Sequence, residues 1–294
     1  DASIDRSVLG ANSLLPVSLA SCRAAAAALN RELYIQIAQL AEVSPSLPTL
    51  VQVMIEGGAH APTSGISLQE CSFIGSSVDG SAVLEAIQAI ALADGLPPLA
   101  EGPEGGFVIT NSSNRGALEL ITTAVTRIRR PLALALDVAA SHQPIDAAEM
   151  AKLIDEFPMK IIEDPIEQTK LADWTAFTNR YKDRLLIAAD DFTGGDPRRI
   201  KDAVRDGTAN ALVVKLNQTA TLSELLDLVS LVRIGNWQTI VSHRGHETPD
   251  TFIVDLAVGI GASYLKIGPN VRADRRTKHA RFATIAEQLT ARSS

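Results

Sequence analysis

Six side chains able to hold metals, move protons or grip anions recur through the second half of the chain at nearly even intervals. They are Asp137, Glu163, Asp190, Lys215, His243 and Lys266, spaced 26, 27, 25, 28 and 23 residues apart. Each closes a short apolar run. The first three are carboxylates, which repel one another and raise one another's pKa when gathered on one rim. A divalent cation removes that conflict, and an all-oxygen donor set favours Mg²⁺ over zinc. A lysine facing such a cation has its charged form disfavoured, so Lys215 is the expected general base. Arg244, beside His243, carries a planar fork suited to a phosphate or carboxylate. Metal, base and anion clamp together suit proton abstraction next to a carboxylate.

Elements must bring these residues to one place. Eight runs read as strands: Leu50–Ile55, Gln69–Ile74, Leu132–Asp137, Lys160–Asp164, Leu185–Asp190, Ala211–Leu216, Thr239–His243 and Tyr264–Ile267. Helical patterns alternate with them, from Val83–Leu92 through Thr251–Val258, and Ala273–Leu289 closes the chain. The later runs are apolar throughout, as in strands buried on both faces. Strand and helix in alternation predict a parallel sheet. An open doubly wound sheet would gather its ligand groups at one switch point. Polar residues at six successive strand ends instead predict an α/β fold with a (β/α)8-like barrel and a site at its C-terminal mouth. Ahead of it, residues 1–45 read as helical, with an Ala-rich helix over Ala11–Leu29 and a shorter one over Leu33–Leu40, until Pro45 and Pro48 break the pattern.

Composition narrows the function. The 294 residues are 46% hydrophobic and 21% charged, with a net charge of −7, which suits a globular chain and not a nucleic-acid binder. There is no apolar run long enough for a membrane span and no signal peptide, so the cytoplasm is the expected compartment. Asp1 rather than methionine opens the sequence, as in a processed chain or a fragment. Cys22 and Cys71 are too few for a disulfide framework or a thiolate metal site, and read as small buried hydrophobes.

Several segments resemble the enolase family. They include Leu134–Ser141 (LALDVAAS), Lys160–Pro165 (KIIEDP), Asp190–Asp191, Val214–Thr219 (VKLNQT), Val241–Thr248 (VSHRGHET) and Lys266–Gly268 (KIG). Upstream, Gly10–Leu19 (GANSLLPVSL), Gly57–Ala61 (GGAHA), Leu68–Glu70 (LQE) and Glu104–Phe107 (EGGF) follow in the same order. The resemblance implies an enolase-type barrel over 46–294, preceded at 1–45 by the helical remnant of an α+β N-terminal domain. It implies Asp137, Glu163 and Asp190 as Mg²⁺ ligands and Lys215 as the base that removes the C2 proton of 2-phosphoglycerate. Glu104 matches the acid assisting loss of the 3-hydroxyl, a task that calls for a raised pKa. Glu70 and His60 match its supporting residues. Ser242, His243 and Arg244 match the substrate-binding stretch, with Arg244 on the phosphate, and Lys266 matches the lysine at the substrate's carboxylate end. Gly245, His246 and Pro103 depart from the family pattern.

The implied activity is Mg²⁺-dependent dehydration of 2-phosphoglycerate to phosphoenolpyruvate in glycolysis, with reversal in gluconeogenesis. The implied partners are a small phosphorylated molecule and a second copy in a homodimer. Two alternatives stay open at this point. One is a related lyase acting on another phosphorylated or phosphonate acid; the other is a catalytically impaired, enolase-derived binding protein.

Overall fold

All eight apolar runs become strands of one closed sheet. The computed structural model describes residue 6 and residues 8–293. In chain order the strands are β1 (Thr49–Glu56), β2 (Glu70–Ile74), the two-residue strands β3 (Ala100–Glu101) and β4 (Phe107–Val108), β5 (Leu134–Asp137), β6 (Met159–Glu163), β7 (Leu186–Ala189), β8 (Ala211–Val214), β9 (Gln238–Ser242) and β10 (Tyr264–Lys266). The barrel runs β1–β2–β5–β6–β7–β8–β9–β10, and a parallel pairing of β10 with β1 closes it. A β3–β4 hairpin hangs from β1 through β4.

The barrel departs from the expected parallel sheet at one strand. β2 runs antiparallel to both β1 and β5. Residues 57–69 contain only a single 3₁₀ turn and no crossover helix, so the chain must double back after β1. Two helices, α3 (Ser77–Ala93) and α4 (Asn114–Arg127), then pack on each other and feed β5. From there the chain alternates regularly through α5 (Ala147–Glu156), α6 (Leu171–Tyr181), α7 (Pro197–Asp206), α8 (Leu222–Ile234), α9 (Phe252–Gly259) and α10 (Ala273–Ser293). Local chemistry starts these helices where the strands end. Asp146 caps α5 by accepting from the Ala148 and Glu149 N–H groups, and Asp196 followed by Pro197 opens α7.

The reversal of β2 has a consequence for the site. An antiparallel strand puts its first residue, not its last, at the rim where parallel strands end. Glu70 therefore joins that rim from the start of β2.

The barrel interior is filled by small and branched side chains, among them Val51, Ala135, Ile161, Ala188 and Val213. A larger apolar layer lies between sheet and helices. The leading helices α1 (Ala11–Ala28) and α2 (Leu33–Leu40) contribute to it through Cys22, Tyr34 and Ile37. α2 lies against α9, where a Cβ on Gly259 would sit 2.7 Å from Ile37. Arg281 of α10 bonds both Asp255 of α9 and Glu32 before α2, tying three helices at one point. Both cysteines are buried and free, as their number implied.

Candidate active site at the barrel mouth

Strand register sets the first layer of the site. Glu56 faces Glu70, Glu70 faces Asp137, and Asp137 faces Glu163, so four carboxylates stand side by side across β1, β2, β5 and β6. All four are buried. Lys266, which ends β10, answers three of them. Its Nζ lies 2.7 Å from Glu70 Oε2, 3.0 Å from Glu163 Oε2 and 3.6 Å from Asp137 Oδ2. One residue past β7 comes Asp190, paired with Lys215 one residue past β8. Gln218 Nε2 donates to the other Asp190 oxygen at 3.0 Å.

Burial and charge set the protonation of this row. Burial, reinforced by Glu104, pushes the Glu70 carboxyl well above the usual glutamate range against the pull of Lys266. Burial and the neighbouring Asp137 do the same to Glu163, and burial also raises Asp137. Asp190 goes the other way: burial opposes its charge, but Lys215 and Gln218 outweigh it and hold the carboxyl below its ordinary value. Burial likewise opposes both lysine ammoniums, yet Asp190 and Glu163 raise Lys215, while Glu163, Glu70 and Asp137 raise Lys266 well above the ordinary range. The surrounding carboxylates thus raise Lys215, whereas the depression expected of it belongs to a site that also holds the cation.

The second layer is the wall around β1 and β2. Glu104 sits in the loop between β3 and β4, buried, with its Oε2 2.9 Å from His243 Nε2. His60, Glu70 and Glu104 each bring a polar atom within 4.8 Å of the others. Burial depresses His243 to about 4 despite Glu104, so its ring is neutral at neutral pH. Burial opposes the charge of Glu104, but His243 and Lys266 outweigh it and hold that carboxyl well below the usual range. The raised carboxyl expected at Glu104 is therefore found at Glu70. The two neighbouring carboxyls are thus shifted in opposite directions, Glu70 up by burial and Glu104 down by the cationic and hydrogen-bonding groups around it.

Topology then separates Lys215 from the Glu70–Glu104 pair. Around the eight-stranded ring, β8 and β2 lie four strands apart in either direction. Lys215 and the Glu70–Glu104 pair stand on opposite walls of the mouth, with Lys266 and the carboxylate row between them. Arg244 is exposed at the rim, its Nη1 3.5 Å from Asn217 Oδ1. Ser242 is buried, and its hydroxyl donates to the His243 carbonyl rather than into the mouth.

Residues 145–294 match the family profile described as "Enolase, C-terminal TIM barrel domain". The chain is also 35% identical, over 317 aligned residues, to a protein named "Enolase" from Mycobacteroides abscessus, covering 98% of this chain and 73% of that relative. The chain belongs to the enolase family.

Enolase-family membership supports a lyase-type enzyme with a small-molecule substrate, and it implies a divalent metal. Among the described residues two groups bring their ligand atoms within 4.8 Å of one another, His60–Glu70–Glu104 and Asp164–Asp190–Asp191, and Asp137 and Glu163 belong to neither. Asp137 and Glu163 are register neighbours, Asp190 follows on the next strand, and Glu163 Oε1 is buried with no hydrogen-bond partner. Among the described residues no helix is long and apolar enough to cross a membrane.

Residues missed by the sequence reading complete this enolase-family site. Asp164, in a left-handed conformation (φ 43°), accepts from the Asp190 N–H at 3.0 Å and the Asp191 N–H at 2.6 Å, steadying the turn that carries a proposed metal ligand. On α10, Arg275 donates to the Arg244 and Gly245 carbonyls, and Lys278 donates to the Thr248 carbonyl while pairing with Glu247 at 2.9 Å. Arg275 and Lys278 thereby clamp the loop after His243. His279 is buried against the Gly268 carbonyl. Only full burial of the α10 cations could have signalled the clamp, and burial is not visible in sequence.

Proposed function

We propose that this chain is a Mg²⁺-dependent carbon–oxygen lyase that dehydrates 2-phosphoglycerate to phosphoenolpyruvate in glycolysis and runs in reverse in gluconeogenesis. The observation that carries this reading is the placement of Lys215 and the Glu70–Glu104 pair on opposite walls, with positive charge between them. An elimination that takes a proton from one carbon and hydroxide from the next needs a base and an acid on opposite sides of the substrate.

In this reading Asp137, Glu163 and Asp190 hold the Mg²⁺. The bound ion supplies charge stabilisation to the carboxylate whose α-proton leaves. Lys266 adds a fixed ammonium at the same end, where negative charge grows. Lys215 takes the proton as a neutral amine, so its pair with Asp190 must open before turnover. The Glu70–Glu104 pair delivers a proton to the departing hydroxyl, since hydroxide is a poor leaving group. Arg244, exposed at the rim, is the phosphate clamp. Neutral His243 keeps Glu104 aimed, and His60 supports the same wall.

The test is an ultraviolet assay of phosphoenolpyruvate formation from 2-phosphoglycerate with Mg²⁺. Turnover is expected in the wild type and its loss in Lys215→Ala. Wild-type protein with no turnover, or Lys215→Ala with full turnover, rejects the reading. A clear preference for another phosphorylated or phosphonate acid rejects the substrate while keeping the chemistry.

A further inference from the structure

The loop that carries Glu104 has little to hold it. Its flanking strands, β3 and β4, are two residues each. A hairpin that short cannot place a side chain to the accuracy that proton transfer requires, where an error near 1 Å costs on the order of 10²-fold in rate. Something else must fix the loop.

Glu56 supplies it. This residue ends β1 and is fully buried. Its Oε1 accepts from the Gly106 N–H at 2.9 Å and the Glu104 N–H at 3.1 Å, and its Oε2 lies 3.2 Å from the same Glu104 nitrogen. Two backbone N–H groups of the loop, those of Glu104 and Gly106, thus close on one carboxylate as such groups close on a bound anion. The glycines make the wrap possible. A Cβ on Gly102 would fall 2.6 Å from the Glu56 carboxyl carbon, and one on Gly106 3.2 Å from its Cγ. Arg272 adds an outer tie by donating to the Pro103 carbonyl at 2.8 Å.

The same carboxylate reaches a second residue of the site. Glu56 Oε2 lies 3.3 Å from His60 Nδ1. A carboxylate on that side selects the tautomer protonated at Nδ1 and leaves Nε2 as the nitrogen free for a ligand. The groups around the His60 ring are Glu56, Glu70, Glu104 and Asp137, all acidic.

We propose that Glu56 is a positioning residue for the proton-donating side of the site, one buried carboxylate that sets both the Glu104 loop and the His60 ring. This rests on the reading of the Glu70–Glu104 pair as the acid. It also assigns a purpose to Gly102 and Gly106, which leave room for the carboxylate that the loop encloses.

Glu56→Gln is nearly the same shape, but its amide keeps only one acceptor oxygen for three donors. The expected result is a kcat lower by about 10–100-fold with KM within about 3-fold, the size of effect seen when an outer partner of a functional group is removed. Nitrogen-15 spectra of histidine-labelled protein, recorded at a pH above the His60 titration that the surrounding carboxylates raise, should show the wild-type ring protonated at Nδ1 and, in Glu56→Gln, a shift toward the Nε2-protonated form. Gly102→Ala displaces the carboxylate without removing any group and should show the same two changes. If Glu56→Gln does not fold, Gly102→Ala carries the test.

Wild-type kcat together with an unchanged His60 tautomer in the folded variants overturns the proposal. So does a loss of activity that rises wholly through KM. Absence of turnover in the wild type would reject the lyase reading instead, and the His60 tautomer would still decide the role of Glu56.

Discussion

Two clusters of buried charge meet at the mouth of this barrel, and they are balanced in different ways. Across β1, β2, β5 and β6 the carboxylates Glu56, Glu70, Asp137 and Glu163 stand in one row, and Lys266 answers three of them with a single ammonium. At the corner between β9 and α10 the buried cations Arg275 and Lys278 each have one carboxylate, Asp274 at 3.4 Å and Glu247 at 2.9 Å, and are otherwise answered by backbone carbonyls of residues 244, 245 and 248. A carbonyl partner is part of the chain path and has no protonation state to change. Side-chain carboxylates can exchange a proton or a cation for their lysine. The first cluster is therefore built to react and the second to hold a loop still. Glu56 stands between the two: it lies in the acidic row but is enclosed by backbone N–H groups, and so works as the α10 clamp does.

The largest expected effect tests the reactive side. With Mg²⁺ and 2-phosphoglycerate, Lys215→Ala should lower kcat by roughly 10³-fold, within the range for a lost general base. On the holding side, Lys278→Ala should act on stability instead. Breaking a buried pair costs about 3–5 kcal/mol, read as an earlier urea midpoint, while activity per folded molecule stays near wild type. Loss of activity without loss of stability in Lys278→Ala would erase the distinction between the clusters.

A smaller effect links metal to pH. Glu70, Asp137 and Glu163 have raised values in the folded chain. Their contribution to stability is fully present below the ordinary carboxylate range and is lost as pH rises through the raised values. Cation binding needs the ligands deprotonated, so stabilisation by Mg²⁺ over EDTA should grow across that same interval. At a hundredfold excess over Kd it should reach about 2.7 kcal/mol. A Mg²⁺-induced rise in Tm that does not change between pH 5 and pH 8 contradicts the shared carboxylate site.

The smallest effect concerns His243. Its value is depressed to about 4, so the unfolded chain binds a proton there before the folded one does. Its contribution is present above the ordinary histidine value and is lost as pH falls toward 4. The ring signals of His243 should titrate near 4, and a midpoint near 6.5 would show that the wall around Glu104 is not as dry as its burial indicates.

Much of this was legible in the residues. Strand-end spacing placed Asp137, Glu163, Asp190, Lys215, His243 and Lys266 on one rim, because a parallel βα repeat delivers each strand's last residue to the same end. Glu70 and Glu104 came only through the family resemblance, since neither follows that repeat. Glu56 lies one residue past the run read as the strand Leu50–Ile55, and nothing local to it marks a role. Its role depends on a loop 48 residues downstream that folds back over it. Nor did the spacing reveal which way each carboxyl of a pair would shift, since that depends on the distance to each cation.

The sequence by itself determined the barrel, the order of the chemical groups round its mouth and the family, because those follow from periodicity and motif, which are local. Tertiary structure alone decided the reversal of β2 that brings Glu70 to the rim. It also decided the opposite shifts of Glu70 and Glu104, and the enclosure of Glu56. Each of these depends on what burial places beside a group, and burial is a property of the closed sheet and its returning loops rather than of any one segment.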